Sequence, residues 1–395
     1  MNVFYISPSI IPSRTANAVH VVHMCDGLRK ARANTRLFFG TELTDSRGLA
    51  REISDRYGVD VDGISLKPVR VRSQRALALR ITLRAVLEFL RESLKGSVPD
   101  VIFSRNLYAA VLFACACPGR LIYETHQIET GLRGRLQGFL VKRAGVFTVV
   151  ISDALRGMIA DTFRVPVGRI HVAHDAVNDG LVCEEDRVSL RQRESGAPSQ
   201  TLRVGYFGHL FKGRGIEVIT GLAMRFPDVE FLVYGGSDEL VAWHVANNPA
   251  KNCHFMGFVT HAKVTALMRG MDVLLMPYQR SVSIEASGRS DTAKYMSPMK
   301  MFEYMASGVP FIASRLPVLE EVLGCGRNCL LADPENIEEW SERLREMIAS
   351  PELRQSLAVS ARQDVIDNYT WVSRAQSLLG RFKDRTYGEA ANQHR

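Results

Sequence analysis

Ser297-Pro298-Met299-Lys300-Met301-Phe302-Glu303-Tyr304-Met305-Ala306-Ser307-Gly308-Val309-Pro310-Phe311-Ile312-Ala313-Ser314 reads as a turn, a short helix and a buried strand. Pro298 suits a first helical turn, Met301, Phe302 and Met305 are apolar at spacings of three and four, and Gly308 with Pro310 stops the helix. Phe311-Ile312-Ala313 is then a strand. A helix starting near Ser297 presents unpaired N–H groups and the positive end of its dipole, with Lys300 close by, where a phosphate can dock. Glu303, one turn on, suits a sugar diol.

Working outward, the first half alternates short apolar runs with helical periodicity. Val3 to Ile6, Thr35 to Phe39, Val101 to Ser104, Leu121 to Glu124 and Val146 to Ile151 read as strands, separated by helical stretches such as Ala18 to Ala31, Gln74 to Lys95 and Leu107 to Cys117. That alternation predicts an α/β fold with a parallel sheet covered by helices. A polar stretch at 184–200 reads as a linker. The pattern restarts with Leu202 to Gly208, Phe231 to Gly236, Val273 to Pro277 and Phe311 to Ala313, a second doubly wound unit, and Asn336 to Phe382 is helical. The expected division is a first domain at 1–183, the linker, a second domain at 201–370, and a final helix and tail at 371–395. Facing parallel sheets place ligands at the carboxyl ends of their strands.

The 395 residues, 46% hydrophobic and 23% charged, suffice for two cored domains. The net charge of +8 favours acidic partners, whether nucleotide phosphates, anionic lipid headgroups or nucleic acid. Seven cysteines are an odd number and imply no disulfide framework, and neither Cys115-Ala-Cys117 nor Cys325 with Cys329 has zinc spacing. Met1 to Ile6 lacks a basic leader and turns into Ser-Pro, so it reads as a strand, and no apolar run reaches the ~18 residues that span a bilayer. A cytoplasmic protein is expected.

Gly208-His209-Leu210-Phe211-Lys212-Gly213-Arg214-Gly215 follows a strand and opens a helix. Glycines let backbone approach a phosphate, and Lys212 and Arg214 add cations, although a plain strand-to-helix turn has the same look. Ser13-Arg14-Thr15-Ala16-Asn17 follows the first strand and is either a ligand loop or an N-cap. His126, at the end of a strand, can bond a sugar hydroxyl or serve only the core. His20 and His23 share a helix face without the acid of HExxH, and His171 and His174 fall in a strand, on opposite faces. Between 70 and 95, arginines interleave with Leu77, Ile81, Leu87 and Leu90, either a solvated helix or a basic amphipathic helix for an anionic membrane.

The opening stretch closely resembles the SPxKxFEYMAxGxP signature of retaining glycosyltransferases of family 4, which have the GT-B fold of two doubly wound domains facing a cleft. The resemblance implies a nucleotide-sugar donor held by the domain at 201–370, a glycan or lipid-linked acceptor on the side of the domain at 1–183, a final helix at 371–395 crossing back to the first domain, and no cofactor, metal or nucleic acid. It implies Arg214 and Lys300 on the leaving diphosphate and His126 beside the donor sugar. Gly208, His209, Lys212, Phe258 (in Phe255-Met256-Gly257-Phe258-Val259), Ser297 and Glu303 become donor contacts, with Glu303 on the ribose. Arg14, Thr15 and Asn17 form the acceptor-side loop, and Arg105 is a companion of His126. Peripheral membrane contact through 70–95 would serve a lipid-linked acceptor, and polysaccharide biosynthesis is the expected setting. The chain departs from the family where Tyr295 replaces the first acid of E-x7-E, His209 stands where arginine is common, and no acid lies between Ser7 and His20. Asp60-Val61-Asp62 spells the DxD of a different glycosyltransferase fold, in a polar turn away from these motifs. The rival readings are a sugar-nucleotide epimerase and a catalytically silent scaffold for a partner glycosyltransferase. A dinucleotide-dependent dehydrogenase is disfavoured, because Ser-Pro-Ser follows strand one instead of GxGxxG.

Overall fold

Fully buried runs such as Val101–Ser104 and Phe311–Ser314 have no polar face to offer water, so each lies inside a parallel sheet. The computed structural model describes residues 1–13, 15–43, 46–71, 73–182, 201–283 and 291–393; Arg14 and the expected linker at 184–200 fall outside them. The chain divides into two units, Met1–Asp175 with Thr370–Arg395, and Ala176–Tyr369.

The first unit holds a seven-stranded sheet in the order β3-β2-β1-β4-β5-β6-β7, every pair parallel. Its strands are β1 (Asn2–Ile10), β2 (Asn34–Thr41), β3 (Ile64–Arg70), β4 (Val101–Ser104), β5 (Leu121–Thr125), β6 (Phe147–Val150) and β7 (Ile170–Val172). Strand β1 runs past the expected Ile6 through Ser7-Pro8-Ser9 and re-pairs at Ile10 with Gly40 after an irregularity. Strand β3 escaped the sequence reading because Lys67 and Pro68 break its apolar run. It pairs only with β2, and an edge strand tolerates proline.

The second unit holds a six-stranded parallel sheet, β10-β9-β8-β11-β12-β13, formed by β8 (Arg203–Phe207), β9 (Glu230–Tyr234), β10 (Cys253–Gly257), β11 (Val273–Met276), β12 (Phe311–Ser314) and β13 (Leu330–Ala332). Trp340 is wholly buried in this core, and its indole N–H donates to Asp333 O at 2.9 Å. Truncating such a side chain to alanine costs about 3–5 kcal/mol. In both sheets the chain first builds outward one way and then crosses to the other side, at β1/β4 and at β8/β11. Loops at such switch points collect ligands in open α/β sheets.

The decisive stretch folds as read, with one adjustment: the helix is Met299–Ala306, and Pro298 sits at its N-cap position without a side-chain cap bond. Gly308, at φ +73°, ends it in the left-handed conformation that glycine adopts most cheaply, and β12 follows.

Candidate functional site

In the second unit β8 delivers the chain to Gly208, whose N–H donates to Tyr234 O at 2.9 Å. The loop to Gly215 is laid down by backbone bonds: Gln279 N–H donates to Gly213 O at 2.9 Å and Ser283 N–H to Lys212 O at 3.2 Å. Gly213, at φ +83°, admits no side chain, since a Cβ there would lie 1.9 Å from Ser281 O. At Gly208 the neighbour is a side chain instead: a Cβ there would stand 1.7 Å from Lys300 Nζ and would displace the end of that lysine.

Lys300 comes to this spot from the first turn of helix Met299–Ala306. Its ammonium lies 4.3 Å from the centroid of Tyr206 and 5.6 Å from that of Tyr278. It is buried with no hydrogen-bond partner among the described residues. Burial first, and the Arg214 charge second, push Lys300 well below the usual ammonium range, against the opposing pull of Glu303. The Arg214 guanidinium stands 4.8 Å from the Tyr278 centroid, and its Nη2 donates to Ser283 O at 3.0 Å. Its Nε is also buried without a partner among the described residues. Two cations held together on aromatic faces, with N–H groups unspent, suit an anion carrying several oxygens.

Glu303, one turn beyond Lys300, lines a small crevice with Leu181, Val264, Met268 and Ser307. Ser297 is buried just ahead of the helix. The His209 ring stacks on Phe211 at 4.8 Å, and its imidazole is pushed down by partial burial first, then by Lys300 and Arg214. Lys212 diverges from the expected grouping. It lines a groove of about 620 Å³ with Phe211, Glu217, Trp243 and His244, on the flank of helices Ile216–Arg225 and Asp238–Ala246. Phe258 is exposed just past β10. Asp291 accepts from the backbone N–H of Val282 and of Ala293, both at 3.1 Å, which is a turn-forming role. The ring of Tyr295, in the place of the family acid, is half-buried, and its phenol is pushed up by burial and by Asp291.

The first unit assembles a buried polar cluster at the carboxyl end of β5. His126 Nε2 donates to Glu124 Oε1 at 2.7 Å, and its Nδ1 accepts from Arg105 Nη2 at 3.1 Å, so both ring nitrogens are engaged in one neutral tautomer. Burial first and Arg105 second push His126 down to about 4. Glu124, with a wholly buried side chain, meets Arg374 Nη2 at 2.9 Å through its other oxygen, and His20 Nε2 lies 2.9 Å from Oε1. Burial alone would raise its carboxyl; Arg374, His20 and His126 outweigh that and hold it well below the carboxylate range. His20 Nδ1 bonds Asp175 at 2.9 Å. Sequence reasoning missed Glu124, Asp175, His20 and Arg374 as one cluster. The legible signal was a carboxylate inside the apolar run Leu-Ile-Tyr-Glu-Thr; the partners come from positions up to 250 residues away. His20, Glu124 and His126 have metal-ligand spacing. The His126 and Glu124 atoms are already engaged with Arg105, Arg374 and each other, however, and the Arg105 and Arg374 charges oppose a cation there. In the loop after β1, Thr15 caps helix Ala16–Lys30 by accepting from Ala18 N–H, and Asn17 Nδ2 donates to Ser9 Oγ at 2.8 Å.

Residues 217–380 match the family described as Glycosyl transferase-like. Spore coat protein SA of Bacillus subtilis is 26% identical over 187 residues, 44% of this chain and 46% of its own length. The phosphatidyl-myo-inositol mannosyltransferase of Mycolicibacterium smegmatis is 28% identical over 172 residues, 41% of each chain. The chain thus spans about half the length of the curated relatives it matches. Among solved structures, Anabaena HepE in complex with UDP aligns with a TM-score of 0.68 at 16% identity, covering 97% of this chain and 100% of that one. Sucrose-phosphate synthase of Thermosynechococcus elongatus aligns at 0.67 and 15%, covering 98% and 99%. At that identity the likeness bears on the fold, which is the two-unit GT-B architecture.

Proposed function

We propose that the protein is a retaining glycosyltransferase that moves a sugar from a nucleotide-sugar donor to a glycan or lipid-linked acceptor. The observation that carries this reading is Lys300 Nζ, buried beside Arg214 and against Gly208, with no hydrogen-bond partner among the described residues. A cation desolvated in that way is costly unless a bound anion compensates it. The names of the relatives, a mannosyltransferase among them, and the UDP held by HepE make a nucleoside diphosphate the natural anion.

Chemistry then follows from charge and position. As the glycosidic bond to the diphosphate breaks, negative charge develops on the leaving oxygens. Lys300 and Arg214 stabilise it in a low-dielectric setting without reorganising. Glu303 accepts from the ribose hydroxyls and fixes the nucleoside. With two side-chain cations at the diphosphate, the scheme calls for no metal. In the first unit His126 keeps its tautomer between Arg105 and Glu124, and Arg105 Nη1, buried without a partner among the described residues, is the N–H left to meet a sugar or acceptor oxygen.

A thermal-shift screen of UDP, GDP and ADP tests the reading. At a hundredfold excess over Kd the matching diphosphate stabilises by about 2.7 kcal/mol, a rise of several degrees in Tm. Lys300→Met removes that rise. Loss of one such electrostatic donor lowers kcat by about 10²–10³. No shift with any nucleoside diphosphate, together with no sugar transfer from any common nucleotide sugar, rejects the proposal.

A further inference from the structure

Helix Gln74–Leu94 has two apolar faces. One is used: Leu77, Ile81 and Ala85 are buried in the core with Phe4, Phe38 and Phe113. The other faces solvent. Leu79, Leu83, Leu87, Leu90 and Leu94 are 54%, 59%, 46%, 51% and 89% exposed. Steps of four, four, three and four residues confine all five to an arc of about 80° on a helix of 3.6 residues per turn. Leu77 and Ile81 therefore lie on a different face of the basic amphipathic stretch from Leu87 and Leu90.

Cations border this stripe on one side. Arg80, Arg84, Arg91 and Lys95 follow it round the helix, with Arg91 and Lys95 72% and 73% exposed. Arg84 is exposed and has no ion pair among the described residues. The helix's own acids do not neutralise this flank. Glu88 is held by Lys67 at 3.1 Å and Arg36 at 3.4 Å, and Glu92 by Arg36 at 3.0 Å. Arg91 and Lys95 reach those acids only at 3.8 and 3.7 Å. One apolar stripe is what a surface helix needs to join a core. A second, exposed leucine stripe beside cations is the pattern of a helix that lies in a lipid interface.

We propose that this face docks the first unit on an anionic lipid surface, with the five leucines entering the headgroup boundary and Arg84, Arg91 and Lys95 meeting lipid phosphates. Charge selects this occupant. A second copy of the chain would bring the same cations to the same stripe, whereas an anionic bilayer complements both features. The contact is peripheral: among the described residues no helix is long and apolar enough to cross a membrane. The inference does not depend on the donor-site reading, because neither the stripe nor its cations belong to the residues assigned to the donor.

Co-sedimentation of the full-length protein with phosphatidylglycerol–phosphatidylcholine vesicles, in the absence of nucleotide, is the test. The protein pellets with these vesicles, less so as salt rises, and does not pellet with phosphatidylcholine alone. The pair Arg84→Gln/Arg91→Gln weakens binding roughly fivefold per cation. The pair Leu83→Ser/Leu90→Ser weakens it by at least about tenfold. All four side chains are solvent-exposed, so both variants keep the wild-type Tm. Failure of the wild type to pellet, equal binding to neutral vesicles, or binding untouched by both pairs overturns the proposal. So does a leucine-dependent dimer by light scattering in place of vesicle binding, which gives the face to a second copy.

Discussion

Lys300 was legible in the sequence as a cation near a helix start, but its defining property was not. Burial among Tyr206 and Tyr278, and the approach to Gly208, come from β8, β11 and their loops. Because the folded protein disfavours the charged lysine, its folded pKa lies below the unfolded value. Between those two values the unfolded chain binds more protons, so the unliganded protein gains stability as pH rises through that window. A diphosphate reverses the preference by rewarding the charged form. We therefore expect nucleoside diphosphate binding above the depressed pKa to take up protons. Titration calorimetry in buffers of different ionisation enthalpy measures this, and Lys300→Met removes the lysine's share. Binding without proton exchange in the wild type contradicts the assignment of Lys300 to the phosphates.

Helix Trp371–Gln393 is tied into the first unit by Arg374, which donates to His174 O at 2.9 Å, to Ala173 O at 3.1 Å and to Glu124 at 2.9 Å. Helix Ala16–Lys30 approaches so closely that a Cβ on Gly27 would meet Trp371 O at 2.4 Å. Arg374→Met leaves the Glu124 carboxylate buried with a main counter-charge gone, a cost of about 3–5 kcal/mol by urea unfolding. Adding Glu124→Leu recovers part of that loss, because no unpaired charge remains; a fully additive double variant contradicts the pairing. Acid acts on the same cluster. Folding holds His126 down at about 4, against an unfolded value near 6.5, so stability falls as pH drops through that interval. Replacing His126 with Gln flattens that slope. Helix periodicity revealed these elements, but a period of 3.6 says nothing about which distant side chain will face an inward carboxylate.

At the scale of the whole chain, hydrogen exchange separates the two units. UDP, or whichever diphosphate raises Tm, is expected to slow exchange at 208–215 and 299–306 and to leave amides around His20, Glu124 and His126 unchanged, since Gly208, Arg214 and Lys300, the residues proposed to meet the diphosphate, belong to the second unit. Slowing confined to the first unit rejects that placement. By itself the sequence determined two doubly wound parallel sheets and the segments around Gly208 and Lys300. Alternating apolar runs, glycine stops and helix starts are local signals, set within a few residues by backbone sterics and burial. Tertiary structure alone decided that Lys300 and Arg214 share the ring of Tyr278, that Lys212 turns to another groove, and that Glu124 gathers His20, His126 and Arg374. It also decided which leucines of helix Gln74–Leu94 stay outside. The reason is that burial and pairing depend on what the chain brings from far along its length, and local spacing carries no record of that partner.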